Sequence, residues 1–175
     1  MSTTPTRRRA IGSALAAAVT IALLGAAPAP AAGTTSAVCT NLFSVTINPG
    51  FSMTPTSGTL TTGGETGSIT CVGEIDGHRI TGPGTMGISE NYTNVTCPSS
   101  VIKGTINVSI PTTAGLQRMA GELTVQRTLL AVQPQAEFPN AHFSGIGVII
   151  PTQGNCFVTP LRKSLLSVTG TLTGT

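Results

Sequence analysis

Thr105-Ile106-Asn107-Val108-Ser109-Ile110, closed by Pro111, is the stretch that decides the fold. Apolar and polar residues alternate strictly through it, and a backbone whose side chains point to opposite faces in turn buries one face and wets the other. Proline ends the run because it has no N–H to give to a ladder. The same period of two recurs in Ser167-Val168-Thr169-Gly170-Thr171-Leu172-Thr173, and in 42–47 ahead of an expected turn at Asn48-Pro49-Gly50. Residues 67–75 and 121–129 read similarly. After residue 31 threonine is the dominant residue, 26 of the remaining 175 − 31 = 144. It is interleaved with Val, Ile and Leu, and branching at Cβ suits a pleated surface better than a helix.

Asp76-Gly77, between two such runs, is the clearest turn signal, since a two-residue type I′ turn needs positive φ at both positions. It predicts a hairpin with Ile75 facing His78 and Glu74 facing Arg79, which carries Cys71 to a place opposite Gly82, where Gly82-Pro83-Gly84 bends the returning strand. Helical periodicity is nearly absent, with only 114–120 able to form a turn or two. The longest irregular connections are expected at 131–141, which holds Pro134 and Pro139, and at 91–100. Seven to nine strands without helical crossovers predict an all-β domain. The expected architecture is a single antiparallel β-barrel, up-and-down or partly open, because closure removes sheet edges; a two-sheet β-sandwich is the alternative.

The beginning of the chain addresses compartment. Arg7, Arg8 and Arg9 precede a weakly apolar run over 10–27, and Ala29-Pro30-Ala31 offers the small residues that signal peptidase accepts. Residues 1–31 are therefore read as a cleaved signal peptide and 32–175 as one domain, with no membrane span after cleavage. The leader also resembles a twin-arginine signal, except that Ala10 replaces the usual bulky residue. Removing it takes three of nine basic residues and no acidic ones, leaving six against six. A near-neutral domain gives no reason to expect nucleic acid or an anionic membrane as a partner.

Cys39, Cys71, Cys97 and Cys156 all follow the leader. An even number in an exported chain reads as two disulfides, and the spacings fit no zinc motif. The preferred pairing is Cys71–Cys97 with Cys39–Cys156, the second joining the first strand to the last; Cys39–Cys71 stays open as an alternative. The expected location is secreted, extracellular or at the cell wall.

Catalytic material is scarce, with two histidines, one aspartate and five glutamates after the leader. His78 beside the Asp76-Gly77 turn reads as a turn-flanking polar residue. His142 with nearby Glu137 could orient an imidazole for base chemistry. Met86, Ile88 and Glu90 share one face, so Glu90 points inward if its strand extends that far. His142, Glu137 and Glu90 are the catalytic candidates, although a solvated surface is the plainer home for each. No Gly-x-Ser-x-Gly elbow occurs around Phe143-Ser144-Gly145. The scattered glutamates form no carboxylate pair for glycoside hydrolysis. No cofactor or metal is expected, since Gly63-Gly64 and Gly82-Pro83-Gly84 lack the lysine or helix start of phosphate loops. Phe43, Phe143 and Phe157 are assigned to the core.

The Arg-rich, alanine-rich leader, the opening segment from Cys39 to Phe51, Cys71-Val72-Gly73, Gly82-Pro83-Gly84, Cys97 and Asn155-Cys156 together resemble uncharacterised secreted β-sheet proteins of actinomycetes. These motifs specify scaffold, and the resemblance carries over no functional residue. Two classes of function follow. One is a non-enzymatic β-domain that binds a cell-surface partner or an apolar small molecule inside the barrel. The other is a small secreted isomerase, cyclase or hydrolase using His142 with Glu137 or Glu90.

Overall fold

Asp76 and Gly77 have φ of 51° and 74°, so the hairpin forms on the turn that its sequence demands. Ile75 faces His78 and Glu74 faces Arg79. The same register resumes at Ile69 opposite Gly84, with Gly82-Pro83 interrupting the returning strand between. The structure is a computed structural model that describes residues 33–62 and 66–174. The expected leader, Gly63-Gly64 and Glu65 lie outside the described residues.

The described chain is all-β: β1 (Ser36–Phe51), β2 (Thr56–Thr61), β3 (Gly67–Ile75), β4 (His78–Arg79), β5 (Gly84–Val95), β6 (Ser99–Thr112), β7 (Gly115–Thr128), β8 (Ala131–Phe138), β9 (Ala141–Gln153) and β10 (Leu161–Gly174). Every pairing is antiparallel, and they make one sheet rather than two packed ones. β2 and β3 both pair with β1 on one side and with β5 on the other. They therefore share one strand position end to end. β1 also pairs with β10, from Ser36 opposite Thr173 to Thr46 opposite Lys163. That ladder closes the sheet into an up-and-down ring and abolishes its open edges.

Alternating direction sorts the connections into two ends. Residues 52–55, 96–98, 129–130 and 154–160 lie at one, the loop end. Residues 76–77, 113–114 and 139–140 lie at the other, the turn end. Backbone bonds tie each end together, Cys97 N–H to Ser52 O and Leu129 N–H to Pro98 O at the first, Gly77 N–H to Thr34 O and Thr113 N–H to Arg79 O at the second.

This sorting corrects the disulfide expectation. The bonds are Cys39–Cys71 and Cys97–Cys156, not Cys71–Cys97 and Cys39–Cys156. Cys39 and Cys71 are direct cross-strand partners on inward rows near the turn end, whereas Cys97 and Cys156 stand on neighbouring connections at the loop end. Either expected bond would have to run the length of the ring.

Three expected breaks are also strand. Asn48-Pro49-Gly50 lies within β1, where the β10 register shifts between Thr46 and Phe51, so it bulges the strand and the turn comes later. Pro134 sits inside β8, opposite Val125 of β7, and the β9 ladder skips Gln133 and Pro134 where the N–H is missing. Residues 115–120 begin β7, led by Gly115 at φ 111°.

Inward rows fill the ring with Phe43, Val45, Ile47, Ile69, Ile88, Ile106, Leu123, Phe143, Leu166 and Val168, all buried. Small residues accommodate large ones: the Phe143 ring lies over Gly145 and Gly170. Gly104, opposite Glu90 across the β5–β6 ladder, leaves the space occupied by the Glu90 Cγ. Gly104→Ala is expected to lower the urea midpoint by an amount equivalent to about 1–3 kcal/mol, the usual cost of overpacking.

Candidate functional site

Glu137 and His142 do meet. They are cross-strand partners at the turn end, with His142 Nδ1 2.7 Å from Glu137 Oε1 and side chains 33 % and 64 % exposed. Glu122 is the other cross-strand neighbour of Glu137, so two glutamates lie side by side on the outer wall. Neither His142 nor Glu137 lines the interior voids or the loop-end cavity. The pair is a surface contact of the kind that contributes little to stability. Asp76 is engaged elsewhere, accepting from the Thr35 hydroxyl at 3.3 Å while its own N–H donates to Thr35 Oγ1 at 3.0 Å. His78 is exposed beside its turn. Among the described residues no cluster of three or more His, Cys, Asp or Glu could hold a metal.

Glu90 points the other way. β5 extends past it to Val95, so alternation carries it inside the ring, where it is only 2 % exposed. Burial pushes its carboxyl up to about 7. It shares a void of about 20 Å³ with Ser164 and Arg127, and Glu90 Oε1 and Ser164 Oγ have no hydrogen-bond partner there. The Arg127 guanidinium turns to the loop end instead. It donates to Cys97 O at 2.7 Å, Leu129 O at 3.2 Å, Thr96 O at 2.6 Å and Ser100 Oγ at 3.0 Å, and its carbon lies 4.8 Å from the centre of the Phe51 ring. Burial lowers its pKa. Acid and base thus border one void without forming an ion pair, and the three catalytic candidates occupy two separate places.

A far roomier concavity lies at the loop end. A cavity of about 330 Å³ is walled by Leu129 and Leu130 of the β7–β8 turn, by Pro151, Phe157 and Leu161 around the β9–β10 loop, and by the Cys97–Cys156 disulfide, with Arg127 beneath. Its walls are set locally. Asn155 Oδ1 accepts from the backbone N–H of Phe157, Val158 and Thr159 at 3.1, 2.9 and 3.3 Å, and Gly154 and Cys156 turn the chain with φ of 84° and 73°. The disulfide then pins this preformed loop to the 96–98 connection. By contrast, the interior voids measure only about 20–30 Å³ each, room for a water at most.

Comparison with family models, curated proteins and solved structures gives no match. The site therefore rests on its own geometry. Sequence reasoning missed Arg127 and the loop-end residues and placed Phe157 in the core, where it is instead 71 % exposed. One signal was present: Leu129-Leu130 breaks the period of two, and adjacent apolar residues in a two-residue connection cannot both face inward.

Proposed function

We propose that this protein is an exported, non-enzymatic binding domain that takes an apolar small molecule in its loop-end cavity. The observation that carries this reading is that cavity: about 330 Å³, apolar-walled and held by a disulfide, within the size range of small-ligand pockets. The ring interior is packed, which moves the expected ligand from inside the barrel to its mouth. Export is supported by the leader and by two disulfides, which persist in oxidising compartments; no helix among the described residues is long and apolar enough to cross a membrane. Attachment to the cell wall and kinship with the secreted actinomycete proteins belong to the same proposal. The hydrolase or isomerase reading lacks its cleft, since His142 and Glu137 lie on an open wall and Glu90 is enclosed.

The test is titration with the neutral fluorescent probe N-phenyl-1-naphthylamine. One saturable site with enhanced emission is expected, and Leu130→Trp, which fills the cavity from an exposed position, should abolish it while leaving the melting temperature unchanged. No enhancement, or enhancement indifferent to Leu130→Trp, overturns the reading.

A further inference from the structure

The loop end differs from the rest of the surface in two independent ways. Its connections expose Met53, Leu129, Leu130, Phe157 and Val158, at 51, 55, 51, 71 and 84 %. The turn-end connections 76–77, 113–114 and 139–140 expose no large hydrophobic, Leu116 just beyond one of them being the nearest. On the wall Val38 stands opposite Val72, and Ile146, Val148 and Ile150 follow one another on the outer face of β9, with the hydroxyls of Thr169 and Ser167 on the next strand beside them. Only at the loop end do apolar tips from three separate connections stand together.

Charge also differs between the ends. The exposed carboxylates of Glu74, Asp76 and Glu137 lie near the turn end with Arg79 and Arg118 among them, and Glu122 lies midway along β7, whereas Arg162 and Lys163 open β10 directly after the 154–160 loop and Lys103 lies near the start of β6. Among the described residues the loop end exposes no carboxylate. Among the described residues acids and bases thus mix at the turn end while the cations of the loop end stand without carboxylates, and an unopposed basic end turns toward a negative surface.

From these observations we infer that the loop end docks on anionic lipid bilayers. Phe157, Val158, Leu129, Leu130 and Met53 enter the interfacial region, and Arg162 and Lys163 meet lipid phosphates. Rigid apolar tips around a rim, flanked by cations with the acids held away, match the two contributions that hold peripheral proteins on membranes, apolar burial and attraction to anionic headgroups. Leu129, Leu130 and Phe157 also wall the cavity, whereas Met53 and Val158 do not, and docking does not require the cavity to be filled.

The chain contains no tryptophan, so Phe157→Trp in the full disulfide-bonded protein supplies a single reporter at the most informative tip. Phosphatidylglycerol vesicles should shift its emission to the blue, acyl-brominated lipid should quench it, and phosphatidylcholine vesicles should do neither. Arg162→Glu with Lys163→Glu should weaken partitioning roughly tenfold or more, from the loss of two surface cations. Val158→Ser with Leu129→Ser should weaken it also, and near-native melting temperatures establish that these exposed variants are folded. Emission unmoved by phosphatidylglycerol, or partitioning indifferent to the charge reversal, overturns the inference. Retained naphthylamine binding alongside absent vesicle binding removes lipid docking and leaves the cavity reading standing; a protein partner, rather than lipid, would then be what covers the tips.

Discussion

Raising the pH from 4 to 8 is expected to destabilise the folded domain by about 3 kcal/mol through Glu90 alone, and Glu90→Gln should remove that dependence. The direction follows from where the proton is held. Below pH 4.5 the carboxyl is protonated in both the folded and unfolded chains, and Glu90 makes no difference between them. Above 4.5 the unfolded chain releases its proton, while the folded chain keeps it until about 7. In that window the native state binds more protons, so stability falls as pH rises, by about 1.4 kcal/mol per unit, and levels off above 7. The conversion needs little discount for solvent screening, because the side chain is 2 % exposed. No cation relieves it, since the Arg127 guanidinium gives its N–H groups to carbonyls of the loop end. Urea titrations at pH 4.5 and 8 on wild type and Glu90→Gln isolate this contribution from His142 and the exposed acids, which both proteins share. Glu90→Met should go further and exceed wild-type stability at pH 8, having no charge to bury. Parallel pH profiles for wild type and Glu90→Gln would show that the carboxyl reaches water.

Glu90 also illustrates how far the sequence could be read. The spacing Met86, Ile88, Glu90 places it inside provided the strand continues, but a carboxylate in that position looks like a strand end. What keeps the strand going lies on its neighbours: Gly104 makes room across one ladder, and Leu60 of β2 pairs with Glu90 across the other. Residues close in sequence were legible in detail. Asp76-Gly77 gave its turn and its register, which a type I′ turn fixes locally, and Gly82-Pro83 marks its own break because proline lacks the N–H a ladder needs. Properties of the closed ring were not. Which end a cysteine occupies depends on how many strand positions separate it from the next, and β2 and β3 hide that number by sharing one position. Pro134 suggests a loop from sequence alone because a proline in a sheet depends on which neighbour can do without the N–H, here β9. Phe157 looked like core because its exposure is imposed by the turn Asn155 makes around it.

Removing the two disulfides separately should give similar losses of stability but a loss of binding in only one case. The Cys39–Cys71 and Cys97–Cys156 bonds close loops with sequence separations of 32 and 59. Because the entropy of loop closure grows only with the logarithm of length, each is expected to contribute about 4 kcal/mol, or a fall of roughly 10–15 °C in melting temperature. Their surroundings differ. Cys39 and Cys71 lie within a ladder that continues on both sides, from Ser36 opposite Glu74 to Leu42 opposite Ser68; Cys39→Ala with Cys71→Ala weakens the ring but leaves the loop end as it was. Cys97→Ser with Cys156→Ser releases the 154–160 loop from the 96–98 connection. Asn155 still shapes that loop from within, but the covalent tie that holds Phe157 over the cavity is gone. Naphthylamine titration well below either melting temperature should therefore show near-wild-type affinity for the Cys39/Cys71 variant and a large loss for the Cys97/Cys156 variant. Equal affinities would mean that the loop is seated by its own packing, through Pro160 and Leu161 against the end of β1, and that the disulfide acts on the unfolded chain alone.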